Sequence, residues 1–222
     1  MGFVLIVFLA AAAAVLLLTV GWRLMSTRHR LPCPAWLHWF VELDNPLART
    51  NRAAFIVEAL GLERGMKVLD AGCGPGRVTV PLAHEAGPSG RVLALDIQPG
   101  MLARARARVE KSGCTNVDYL RAGLGEGRLP RNHFDRAVLA NVLGEIPERA
   151  AAMAELFDTL GPGGILAVAE TVFDPHFQTR GSVATLARAA GFREHGFHGD
   201  RLAWLMLFEK PGETGRLSDS AQ

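Results

Sequence analysis

The chain lacks the features that mark several large protein classes. Its three cysteines, Cys33, Cys73 and Cys114, are scattered and form no Cys-x-x-Cys pair. That spacing argues against a zinc site or a disulfide framework, fits a reducing compartment, and leaves no metal expected. A surplus of charge is missing too: 24 basic residues stand against 22 acidic ones, with no Lys/Arg tract in the body of the chain. Nucleic acid therefore has no electrostatic case as a partner. Internal repeats are absent, and 222 residues give room for one sizeable α/β domain but not comfortably for two. Nothing in the sequence speaks to the oligomeric state.

Charge is absent altogether from Gly2 to Trp22, "GFVLIVFLAAAAAVLLLTVGW". At ~1.5 Å per residue a helix of this length covers ~30 Å, the thickness of the hydrocarbon core. Residues 1–22 are therefore expected to form one transmembrane helix, with residues 2–22 as the membrane contact. A cleaved signal peptide would place a basic stretch before a shorter apolar run, and only Met1 precedes this one. Arg23, Arg28 and Arg30 all follow it. By the positive-inside rule the protein is expected to be single-pass, with its N-terminus outside and its folded domain cytoplasmic. Residues 23–46 read as a juxtamembrane linker and a short helix whose Trp36, Trp39, Phe40 and Leu43 share one stripe, suited to the membrane interface or to covering the domain. The folded domain is expected over 47–210, and "PGETGRLSDSAQ", 211–222, as a disordered tail.

Within the domain, apolar runs alternate with helical stretches. Strands are expected at 67–72, 91–96, 116–122, 134–140, 164–170 and 202–210, and helices notably at 99–113 and 148–164, the second ending on Gly-Pro-Gly-Gly. Strand and helix in turn predict a doubly wound α/β fold with a mostly parallel sheet. In such a fold ligands bind beyond the carboxyl ends of the strands. The first such end is "VLDAGCGPG", 68–76, with glycines at 72, 74 and 76. A dinucleotide loop needs Gly-x-Gly-x-x-Gly, but Arg77 occupies the third glycine position. Asp70 beside the glycines would repel a pyrophosphate and suits a cationic ligand. Asp96, 24 residues after Gly72, ends the second strand where a carboxylate can accept from both hydroxyls of a ribose.

Taken together, "VLDAGCGPGRVTVPLA", "GRVLALDIQPGMLARAR", "LGPGGILAVAE" and the later "AAGFRE" resemble the class I S-adenosylmethionine-dependent methyltransferases in order and spacing. The resemblance implies a seven-stranded sheet whose last hairpin is antiparallel, with "LAWLMLFEK" as the reversed strand. It implies S-adenosylmethionine as cofactor. Asp70, Gly72, Cys73, Gly74 and Gly76 would form its methionine end, Asp96 would hold the ribose, and Ile97 would lie against the adenine. Many relatives carry an acid after the third strand that contacts the adenine amino group; here Gly123 and Leu124 stand in its place, so backbone groups there are expected to read the base. Asn141, after the fourth strand, completes the expected cofactor set.

Methyl transfer starts from an electrophile that is already activated, so the protein's share is alignment and, for some acceptors, removal of a proton. Glu145, after the fourth strand, and Glu170 and His176, after the fifth, are the catalytic candidates; histidine is a common general base, and His176 lies beyond an Asp-Pro turn. The leading expectation is a membrane-anchored methyltransferase acting on a small or lipid-like acceptor, a phospholipid headgroup or a quinone-like ring. Two alternatives stand beside it: a membrane-bound scaffold that binds the cofactor without turnover, and a nicotinamide-dependent oxidoreductase, against which Arg77 and Asp70 both speak.

Overall fold

A computed structural model describes residues 48–212. The expected membrane span, the aromatic stripe at 36–43 and all but the first two residues of the tail lie outside the described residues. Among those described, no helix is long and apolar enough to cross a membrane.

Five helices of four residues or more are described: α1 (Ala53–Ala59), α2 (Thr79–Ala86), α3 (Pro99–Ser112), α4 (Arg149–Thr159) and α5 (Arg180–Ala190). They alternate with strands β1 (Lys67–Ala71), β2 (Arg91–Asp96), β3 (Val117–Arg121), β4 (Phe134–Ala140), β5 (Leu160–Thr171), β6 (Arg193–Gly199) and β7 (Ala203–Glu209). The strands form one sheet in the order β3-β2-β1-β4-β5-β7-β6. All neighbours are parallel except β7, which runs antiparallel to both β5 and β6. The expected seven-stranded sheet with a reversed last strand is what the chain forms.

Why these segments become strands is visible in their burial. Alternate residues of the central strands enter two separate cores. Leu69, Leu139, Leu166, Val168, Trp204 and Phe208 pack under α4 and α5. Val68, Val92, Val138, Ala167 and Leu205 pack under α1 and α2 on the opposite face. Burial on both faces is the reason these strands are continuous apolar runs and not alternating ones.

Two expectations need correction. The helix expected over 148–164 ends at Thr159, and Gly161 to Gly164 instead belong to an irregular start of β5, where the register against β4 slips between Phe134 and Arg136. Six strands were expected from the residues themselves, and β6 was not among them: "REHGFHG" is exposed at all but one of its seven positions, so it carries no apolar signature.

Chain order places the site. From β1 the sheet grows outward through β2 to β3, and then β4 returns to the other side of β1. The carboxyl ends of β1 and β4 therefore diverge at the switch point where doubly wound sheets bind ligands.

Candidate active site

The loop after β1 turns back at once, since Gly72, Gly74 and Gly76 all adopt positive φ. At two of them no side chain would fit. A Cβ on Gly72 would lie 2.6 Å from both methyl carbons of Val142, and one on Gly76 only 3.0 Å from the Ala105 Cα of α3. At Gly74 the reverse holds: among the described residues nothing lies within 4 Å of such a Cβ. The loop is thus packed at its two ends and open at its centre, which leaves a cradle for a ligand to lie on main chain.

Asp96 shapes that cradle. Its Oδ2 accepts from the Gly74 N–H at 2.9 Å and its Oδ1 from the Gln98 N–H at 2.8 Å, so the carboxylate fixes the glycine loop as well as facing the ligand edge. Partial burial raises its pKa against these two bonds. Each oxygen keeps a further lone pair for a hydroxyl donor. Ile97, next in sequence, is 56% exposed, an apolar surface beside the open centre of the loop. These features fit an adenosine.

Asp70 lies deeper than the sequence suggested. It is 2% exposed, and its Oδ2 accepts from the Thr79 hydroxyl at 2.6 Å. Desolvation pushes its carboxyl up to about 6, with the Thr79 hydrogen bond and the Arg77 charge opposing. It therefore braces the loop against α2 from below. Cys73 is buried, and its thiol is pushed far above the ordinary range, which leaves it unreactive packing. Leu124 is buried and Gly123 half-buried. Glu126 folds back over them: a Cβ on Gly123 would lie 2.7 Å from its Oε1. Glu126 thus places a carboxylate beside the position where the expected acid is missing, three residues downstream of Gly123.

One residue, Asn51, escaped the sequence reading, and its partner is Asn141 of the expected cofactor set. Asn51 and Asn141 form a reciprocal amide pair, each side chain donating to the other at 3.0 and 2.9 Å. Arg77 donates to the Asn51 carbonyl oxygen at 2.7 Å and lies 3.4 Å from its Oδ1. The residue that breaks the dinucleotide spacing is therefore a strut to a segment that precedes the sheet.

The catalytic candidates converge beyond β4 and β5. His176 Nδ1 stands 3.8 Å from Glu145 Oε1 and 3.8 Å from Asp174 Oδ1. The two loops interlock: a Cβ on Gly144 would run into the His176 carbonyl oxygen. Asp174 Oδ1 also accepts from the His176 N–H at 2.6 Å. Glu170 lies beneath, 1% exposed, its Oε2 accepting from the Gln178 N–H at 3.0 Å and its Oε1 buried without a hydrogen-bond partner. Burial, reinforced by Asp174 and Glu145, pushes its carboxyl up to about 8. It is a neutral acid at pH 7, and a proton acceptor only when alkaline. Among the described residues no group of His, Cys, Asp and Glu is placed to hold a metal.

Residues 68–164 match the family model described as a methyltransferase domain. The matched segment runs from β1 into β5 and contains the glycine loop and Asp96, and with the loop geometry it supports S-adenosylmethionine as the cofactor. Over 117 residues, 52% of the chain, it is 36% identical to a ubiquinone/menaquinone biosynthesis C-methyltransferase, UbiE, of Shewanella piezotolerans, and 35% identical to its namesake in Psychromonas ingrahamii. The chain spans about half the length of these curated relatives, 47% in each case. A crystal structure of a SAM-dependent methyltransferase from Aquifex aeolicus shares the fold with a TM-score of 0.71 at 23% identity, covering 80% of this chain and 99% of that one.

Proposed function

We propose that the protein is a membrane-anchored methyltransferase that alkylates a lipid-soluble acceptor, most specifically a carbon of a quinol-like ring, with its domain on the cytoplasmic side. The observation that carries this reading is the gathering of Glu145, Asp174 and His176 beyond β4 and β5, next to the donor loop. The uncharged run from Gly2 to Trp22 supports a membrane site, and the relatives named for ubiquinone and menaquinone support the acceptor class.

When bound, S-adenosylmethionine supplies a methyl group activated by a sulfonium. The chain's own work is then to hold the acceptor ring in line and to manage its proton. A phenolic ring becomes a carbon nucleophile once its hydroxyl proton is lost, and His176 is the group here suited to take it. Glu145 and Asp174, facing Nδ1, orient the imidazole and provide the counter-charge for the proton it receives. Glu170, kept neutral by burial, adds no third negative charge that would compete for that proton.

A second reading is favoured by one specific observation: the His176 side chain is only 5% exposed. A scaffold that binds the donor without turnover would need no accessible base. One experiment separates the two. The full-length protein in vesicles is given radiolabelled S-adenosylmethionine and a total lipid extract with added quinol. Label in the lipid-extractable, ring-containing fraction is the expected result. Label confined to protein or water-soluble products would refute the lipid acceptor, and donor binding with no labelled fraction would identify the scaffold.

A further inference from the structure

Residues Ala48 to Arg52 pack against β5, β6 and β7 and reach from there toward Asn141 and Arg77. The short 3-10 turn Arg49–Asn51 buries Thr50 and Asn51. It is seated tightly: a Cβ on Gly199 would lie 2.9 Å from the Trp204 Cα and 3.1 Å from the Thr50 Cγ2. From this seat Asn51 reaches in two directions. Its amide makes the reciprocal pair with Asn141, 90 residues away, and its main-chain oxygen takes the Arg77 guanidinium of the glycine-loop side.

Asn141 is under unusual constraint. It is one of two non-glycine residues at positive φ among those described, at +58°, a conformation that asparagine tolerates better than most side chains but that still costs energy. The next residue, Val142, is the one whose methyl groups fill the space over Gly72. A bond that fixes Asn141 therefore fixes the roof of the glycine loop.

We propose that Asn51 is a positioning residue for the donor site: it holds Asn141 in its left-handed turn, and so Val142 over Gly72, and links the turn Arg49–Asn51 to cofactor affinity. This rests on the reading that the glycine-loop edge binds S-adenosylmethionine.

The test uses the full-length protein and titration calorimetry with S-adenosylmethionine and S-adenosylhomocysteine. Asn51→Ala should raise both dissociation constants about tenfold, in keeping with the loss of buried amide hydrogen bonds. The donor KM should rise in step, with kcat and the acceptor KM within about twofold. Asn51→Asp keeps the acceptor oxygen for Arg77 and Asn141 but loses the donated bond, and should fall between. Asn51→Ala combined with Asn141→Ala should bind no more weakly than Asn141→Ala alone, because both break one device. If Asn51→Ala does not fold, Arg77→Lys replaces it and should raise the donor constants about threefold. Unchanged donor affinity, or a fall in kcat together with melting temperature at constant donor KM, would overturn the proposal while leaving the function intact. Wild-type protein that binds neither ligand would overturn both.

Discussion

The two halves of the site are built by different means. On the donor side, a glycine loop and one carboxylate define the geometry through main-chain groups: Asp96 holds the Gly74 and Gln98 N–H groups. On the side proposed for the acceptor, the shape comes from side chains of two loops, with Glu145, Asp174 and His176 clustered near the buried Glu170. A main-chain cradle is rigid and accepts few substitutions, whereas an assembly of titratable side chains can be rebuilt for another acceptor. The same contrast explains how one fold serves many substrates with one cofactor.

The comparison is broken most sharply at His176. If it takes the acceptor proton, His176→Asn should lower kcat by about 10² or more, with donor affinity unchanged in calorimetry. A kcat within threefold of wild type would remove His176 from the chemistry and leave the acceptor half purely structural. Asp96→Ala should do the opposite. It strips the acceptor from two main-chain N–H groups and from the ribose, so the donor dissociation constant should rise about a hundredfold. Retained affinity in that variant would mean that the donor half is misplaced.

The same division decided how much could be read in advance. The glycine spacing, Asp96 and the runs that form β1, β2 and β4 are local, and the structure has them where the sequence put them, with the same bounds at Arg91–Asp96 and Phe134–Ala140. What could not be read depends on packing between distant segments. The pairing of Asn51 with Asn141 leaves no local trace, and Arg77 looked only like a departure from a motif. Glu126 reaches Gly123 because the loop after β3 folds back on itself. Asp70's place in the loop was legible, and its burial against Thr79 was not. β6 escaped because its exposed residues show no period, and the end of α4 was misjudged because β5 absorbed the glycines that normally stop a helix.

Glu170 provides a test of the acceptor half that depends on pH. Its unfolded carboxyl ionises near 4.5, while the folded one keeps its proton to about 8. Between those values the native state binds the extra proton, so stability falls as pH rises through the window and levels off above it. Glu170→Gln, a neutral mimic, abolishes that slope. Between pH 5 and 7 the wild type should lose about 2 kcal/mol more unfolding free energy than the variant, by denaturant titration. Asp70 contributes equally to both proteins and cancels. Parallel pH profiles would show that Glu170 is ionised in the fold, and that the acceptor half carries one more negative charge than its burial implies.

The smallest effect probes where the two halves meet. Gly72→Ala meets two obstacles, a positive φ of +74° and the Val142 methyl groups. Strain of this kind costs about 1–2 kcal/mol, which would appear as a loss of roughly tenfold in donor affinity. Val142→Ala in the same chain removes the methyl groups and leaves the backbone strain, so it should restore part of that loss, about threefold. Full restoration would mean that the loop tolerates the left-handed turn without glycine and that steric contact with the segment after β4 alone demands Gly72. No restoration would mean that backbone conformation alone demands it, and that Val142 does not serve as its roof. The intermediate result is the one the geometry requires, because Gly72 is constrained at once by its own chain and by the segment that Asn141 holds in place.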